Sequence, residues 1–163
     1  MFALCPLGLD ANLTGYLKIG DIAGESKRAG HEEEIDVHGI QWKIEAPDAT
    51  SGRTRTPAVV GPLKVAKFVD ASSPYLALAS MQGKSIPEVI LAVQNDSTLD
   101  YLTITLSNVR VVSYEIKSKE GDAKPAEEVS FSFEAIKYKY VVQEDDHSAG
   151  DEHEIEYDIA AGL

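Results

Sequence analysis

Apolar and polar residues alternate at period two along most of this chain. In "LDYLTITLSNVRVVSYEIK", Leu102, Ile104 and Leu106 interleave with Tyr101, Thr103 and Thr105. In "EEVSFSFEAIKYKYVVQ", Val129, Phe131 and Phe133 are followed by Ile136, Tyr138 and Tyr140. Successive side chains of a strand point to opposite faces, so this pattern specifies strands with one buried and one wet face. "YLKIGDI" puts Leu17 and Ile19 on one face, and "LKVAKFV" and "HEIEYDI" read the same way. "PEVILAVQN" is nearly all apolar, as a strand covered on both faces would be.

The parity of the apolar positions changes twice. Ile35 and Val37 are odd, whereas Ile40, Trp42 and Ile44 are even. A one-residue slip turns every side chain to the other face, so Gly39 is expected in a β-bulge that restores the apolar face to the core. Gln41, Lys43 and Glu45 then lie on the polar side. The second change falls near Glu134 and Ala135.

One segment has helical punctuation. In "SSPYLALASMQG", Ser73 is expected to cap, Pro74 suits the first helical position and Gly83 the exit. Tyr75, Leu78 and Ala79 are expected to form its narrow buried face. Residues 46–62, "APDATSGRTRTPAVVGP", read as a long projecting loop. The expected fold is therefore mainly β: one domain over 1–163, an antiparallel β-barrel of two packed sheets with one short flanking α-helix. Seven strands, two of them bulged, imply a closed or nearly closed barrel.

"HEEEIDVH", His31 to His38, has the composition of a metal site. The helical zinc signature is absent, because Ile35 occupies the place of the second histidine. Read as a strand, it sends Ile35 and Val37 inward and Glu34, Asp36 and His38 outward. Side chains two apart on a strand are roughly 7 Å apart, too far to chelate without converging. A solvated strand face is the reading adopted.

With 27 acidic and 15 basic residues the net charge is -12, which opposes nucleic acid and anionic membranes. Cys5 is the single cysteine, so no disulfide forms within the chain and a reducing compartment is expected. "MFALCPLGL" lacks a basic leader and is broken by Pro6 and Gly8, so a cleaved signal is not expected. There is no phosphate-binding glycine loop and no Gly-x-Ser-x-Gly elbow. "EDDHSAGDE" lacks the ligand spacing of a calcium loop. No cofactor or catalytic residue is expected. A small acidic metal-dependent β-barrel enzyme or binding module using Glu34, Asp36 and His38 stands as the alternative of another class. A sugar-binding surface using Trp42, Tyr138 and Tyr140 is disfavoured, because Trp42 shares the apolar parity of Ile40 and Ile44.

Four blocks, "YLKIGDIAGES" followed by "HEEEIDV", "KFVDASSPYLALASMQGK", "YLTITLSNVRVVSYE" and "EEVSFSFEAIKYKY", resemble the haemolysin-coregulated protein (Hcp) family in sequence and order. That family supplies the tube subunit of bacterial type VI secretion. The resemblance implies a non-enzymatic structural protein. It implies hexameric rings that stack head to tail into a hollow tube, expelled with a spike protein at its tip by a contractile sheath and baseplate. It further implies that the ring lumen carries and protects small effectors. The chain would then be cytoplasmic before firing and secreted afterwards, without membrane insertion. By the same resemblance Gln41 and Lys43 face the lumen and cargo, Arg53 and Arg55 lie in a ring-stacking loop, and Glu34, Asp36 and His38 serve the ring interface. Residues 1–13 extend beyond the usual family start. A phage-like tail-tube protein is the alternative of the same fold.

Overall fold

The computed structural model describes residues 13–47 and 57–162. Cys5, Arg53 and Arg55 lie outside the described residues.

Among the described residues, eleven strands and one helix follow in the order β1 (Thr14–Ile19), β2 (Ile35–Val37), β3 (Gly39–Gln41), β4 (Ile44–Glu45), β5 (Val59–Val60), β6 (Leu63–Phe68), α1 (Ser73–Gln82), β7 (Ser85–Gln94), β8 (Asp100–Lys117), β9 (Ala126–Ser132), β10 (Ala135–Gln143) and β11 (Ala149–Asp158). All named pairings are antiparallel. The hydrogen-bonded path runs β2-β1-β7-β8-β9-β6-β3, with the β10–β11 hairpin joined to β8.

The first and last strands of that path are the same stretch of chain. Only His38 separates β2 from β3, and its N–H donates to the Ala66 carbonyl on β6. The sheet therefore curls until its ends meet. This corrects the expected bulge at Gly39. The apolar parity changes there because the strand leaves β1 and takes β6 as its neighbour, which makes a corner between two sheets. Gly39 suits that corner, since a Cβ on it would meet the Ala66 Cβ at 3.2 Å.

The second parity change has the same cause. β9 and β10 run in nearly one register along β8, but β9 has β6 on its far side and β10 has β11. Opposite the break, Asn108 takes a positive φ of 50° and its side-chain amide donates to Glu134. β8 changes parity at that kink, burying Ile104 and Leu106 before it and Val109 and Val111 after it.

One layer of the core is thus a six-strand sheet, β2-β1-β7-β8-β10-β11, and the other is β8-β9-β6-β3, sharing the long β8. Leu17, Ile35, Leu63, Val65, Leu91, Leu106, Val129 and Phe131 fill the space between, each fully buried. The helix packs against β8. Its buried face is Ser73, Leu76 and Ala79, so Ala79 is buried as expected while Leu76 and Ser73 replace Tyr75 and Leu78. Tyr75, Leu78 and Met81 are exposed. Ser72, not Ser73, is the N-cap residue, without a side-chain cap, and Gly83 ends the helix in the left-handed conformation as expected. Ile44, expected in the core, is exposed on the separate β4–β5 ribbon. Trp42 is half-buried against Phe133 and Tyr138, and its indole N–H donates to Gly61.

Candidate assembly surfaces

The strand registers define how each sheet presents its outer face. In the four-strand sheet, Gln41, Lys64, Ser130 and Ser113 form one row, and Gly39, Ala66, Glu128 and Glu115 the next. This outer face is small and polar. Its lysines are partnered: Lys64 pairs with Glu128 at 3.6 Å, and Lys117 pairs with Glu128 at 3.2 Å and Glu115 at 3.6 Å. Glu128 raises the Lys117 pKa through its hydrogen bond, with Glu115 adding to the effect. Gln41 and Lys43 are both exposed, and with Trp42, Glu45, Val59 and Lys64 they line a cleft of about 230 Å³ at the base of the β4–β5 ribbon.

The six-strand sheet has unlike flanks. Its inner row runs Ile35, Leu17, Leu91, Ile104, Tyr138, Ile155. The first four are buried, but Ile155 is 63% exposed. The β10–β11 hairpin overhangs the core, leaving Tyr140, Ile155 and Tyr157 uncovered on an otherwise core-facing side. Its other side is charged: Lys137 pairs with Glu154 and Glu156, and Lys139 with Glu152, all near 3 Å. At the opposite flank β2 pairs, among the described residues, with β1 alone and presents exposed Asp36. His38 is exposed at the corner with its ring beside Phe68, 4.9 Å between centroids.

Glu34 differs from its two companions. It turns inward and accepts from His31 Nδ1 at 2.8 Å, while His31 Nε2 meets Asp100 at 3.0 Å. His31 is buried and stacks on Tyr16 at 4.2 Å. "HEEEIDVH" is therefore half strand surface and half internal contact. Among the described residues, no group of three histidine, cysteine or acidic side chains is arranged to hold a metal ion.

A second polar cluster sits inside the barrel under the helix. Lys67 Nζ donates to Glu127 at 2.6 Å, Phe68 O at 2.9 Å, Asp70 at 3.0 Å and Ser73 at 3.2 Å. Tyr114 donates a short hydrogen bond to Glu127. Both Lys67 and Glu127 are completely buried. Burial first, then the Glu127 carboxylate, pushes the Tyr114 phenol up to about 12. Burial alone would raise Asp70, but hydrogen bonds from Ser72 and Lys67 outweigh it and hold the carboxyl below its ordinary value. Sequence reasoning missed this pair, although a signal was present. Lys67 continues the inward parity of Leu63 and Val65, and Glu127 that of Val129 and Phe131, on neighbouring strands. Opposite charges on core positions of adjacent strands mark a buried ion pair.

The comparisons with known proteins agree with this architecture. A family model described as "Type VI secretion system effector, Hcp" matches residues 16–140. The protein Hcp1 of Pseudomonas aeruginosa is 31% identical over 139 residues, covering 80% of this chain and 85% of that protein. This chain belongs to the Hcp family. Hcp1 from Salmonella typhimurium superposes with a TM-score of 0.79 at 30% identity, covering 93% of this chain and 97% of that one. A type VI secretion system effector from Yersinia pestis gives 0.74 at 28% identity, covering 88% and 98%. As an Hcp protein the chain is a secreted, β-rich structural component of type VI secretion and not an enzyme. Among the described residues no helix is long and apolar enough to cross a membrane.

Proposed function

We propose that six copies of this chain close into a ring, and that rings stack into the inner tube of the type VI apparatus. The observation that carries this reading is the pair of unlike flanks. A closed ring needs a heterologous contact, one patch on one side of the subunit and a different patch on the other. The overhanging β10–β11 hairpin supplies an uncovered apolar patch around Ile155 and Tyr157. The β2–β3 corner supplies Glu34, Asp36 and His38 with a strand edge bonded on one side. In this reading Asp36 and His38 meet the neighbour directly, while Glu34 holds the corner in shape.

The polar outer face of the four-strand sheet is then the lumen wall, and Gln41 and Lys43 touch cargo. Small, internally neutralised side chains hold cargo weakly, which suits a conduit that must release small effectors. Arg53 and Arg55, which fall between β4 and β5 in the sequence and outside the described residues, are assigned to ring stacking. The spike protein, sheath and baseplate are the remaining partners, and the chain waits in the cytoplasm before it is expelled.

Light scattering during gel filtration tests the ring. Six chains of 17.7 kDa give about 106 kDa. A species of that mass supports the proposal, and a monomer at every concentration defeats it. Ile155→Asp is expected to shift the mass toward monomer while leaving the thermal transition of the subunit in place, since Ile155 contributes little to the subunit core.

A further inference from the structure

His31 is tied down more tightly than a strand-surface histidine needs to be. Both ring nitrogens lie within hydrogen-bond distance of carboxylate oxygens, Nδ1 with Glu34 and Nε2 with Asp100. A neutral imidazole has one N–H and one lone pair, so it satisfies only one of them. The two-carboxylate geometry therefore requires the imidazolium. Tyr16 on β1 stacks flat against the ring, at 8° between planes, which favours a cation there.

The surroundings are built for this. Asp100, at the start of β8, also accepts from Gln94 of β7 at 3.0 Å. Arg28 in turn donates to Gln94 at 2.7 Å, so it is held beside the cluster from the same loop as His31. Asp36 on β2 adds negative potential near Tyr16. The segment preceding β2 closes back on itself, with Gly24 N–H bonded to Glu33 O and Ser26 N–H to Glu34 O. A Cβ at Gly24 would lie 2.4 Å from Glu34 O, so the two runs are in closest contact there. His31 thus joins the loop before β2 to the first residue of β8, across β1 and β7.

We propose that His31 is a protonation-dependent clasp that fixes edge strand β2 and, through it, the ring-forming corner. The second half of this inference rests on the ring reading, and the first half does not. Burial alone would lower the His31 pKa, but the hydrogen bonds and charges of Glu34 and Asp100 outweigh it and raise it. The clasp is closed below that raised value, as long as both carboxylates stay ionised. As pH rises through the raised value, one carboxylate faces a lone pair and is repelled. Asp100 keeps its bond from Gln94, whereas Glu34 depends on His31. The one remaining N–H therefore stays with Glu34, and the bond across to Asp100, which ties the β2 side to β8, is the one lost.

The test is hydrogen exchange of residues 24–37 on the full chain, corrected for intrinsic rates, from mildly acidic to alkaline pH, with the mass measured in parallel. The wild type is expected to lose about tenfold or more of its protection in this segment as the clasp opens. His31→Gln is expected to show the low protection at every pH, and Asp100→Asn to move the transition to lower pH. Protection that stays constant with pH and is unchanged by His31→Gln overturns the clasp. Loss of protection while a ring of constant mass persists overturns the coupling to assembly. A monomer throughout overturns the ring reading and leaves the clasp to be judged by exchange alone.

Discussion

Lys67 and Glu127 oppose each other on core positions of β6 and β9 with no solvent access. Removing one member strands the other charge inside the barrel, a loss of about 3–5 kcal/mol. Lys67→Met is expected to lower stability by that amount in urea unfolding. The double variant Lys67→Met with Glu127→Leu is expected to recover part of it, because Glu127 no longer stands as a lone buried charge, while Asp70 still loses its bond from Lys67. The same cluster sets part of the pH dependence. Asp70 has a folded pKa below its ordinary value, so its contribution is present above that ordinary value and lost as pH falls through the folded one. Tyr114 is raised from 10.0 to about 12, so its contribution is present below the lower value and lost as pH rises through the upper. Thermal scans across pH are expected to show both losses, with the alkaline one absent in Tyr114→Phe.

The helix α1 separates two readings of one stretch. Period and polarity chose Tyr75, Leu78 and Ala79 as its inner face, but the barrel takes Leu76, Ala79 and Ser73. Nearly every position of "SPYLALASMQ" is apolar or small, so its sequence contains almost no amphipathic direction. The orientation is decided by Ser73, whose hydroxyl joins Lys67 and Glu127 in the core. Leu76→Ala is expected to cost about 2–5 kcal/mol. Leu78→Ala, at an exposed position, is expected to stay within about 0.5 kcal/mol. Equal effects in chemical denaturation would show the face to be misassigned. The strand breaks at His38 and Glu134 were legible as parity changes, because a strand that changes sheets must change the side it buries. That the cause was an exchange of neighbours was not legible, since a bulge gives the same local pattern.

For the assembled particle, charge is the controlling quantity. Six copies of a -12 chain carry -72. Rings of like charge repel over a Debye length of about 10 Å at 0.1 M salt. Purified rings are therefore expected to remain unstacked when dilute at low ionic strength, and light scattering that rises under those conditions would contradict this. The negative total was read directly from composition. The unlike flanks were not, because Ile155 and Tyr157 have the alternation of any half-buried strand. Their exposure arises because β11 is an edge strand and none of the described residues covers that side of it.

Period-two alternation, two parity changes and the ordered motif blocks were sufficient to determine a mainly β barrel with one helix and to place it in its family. Those properties depend on near neighbours along the chain, where side-chain direction is set by backbone geometry. The tertiary structure alone decided that β2 and β3 meet at the closing seam, that Lys67 and Glu127 pair in the core, and that His31 lies between Glu34 and Asp100. The two side-chain links join residues far apart in the chain, 60 positions for Lys67 and Glu127 and 69 for His31 and Asp100, and the seam joins strands from different parts of the sheet path. Only the packing of strands from distant parts of the chain brings such groups within hydrogen-bond reach.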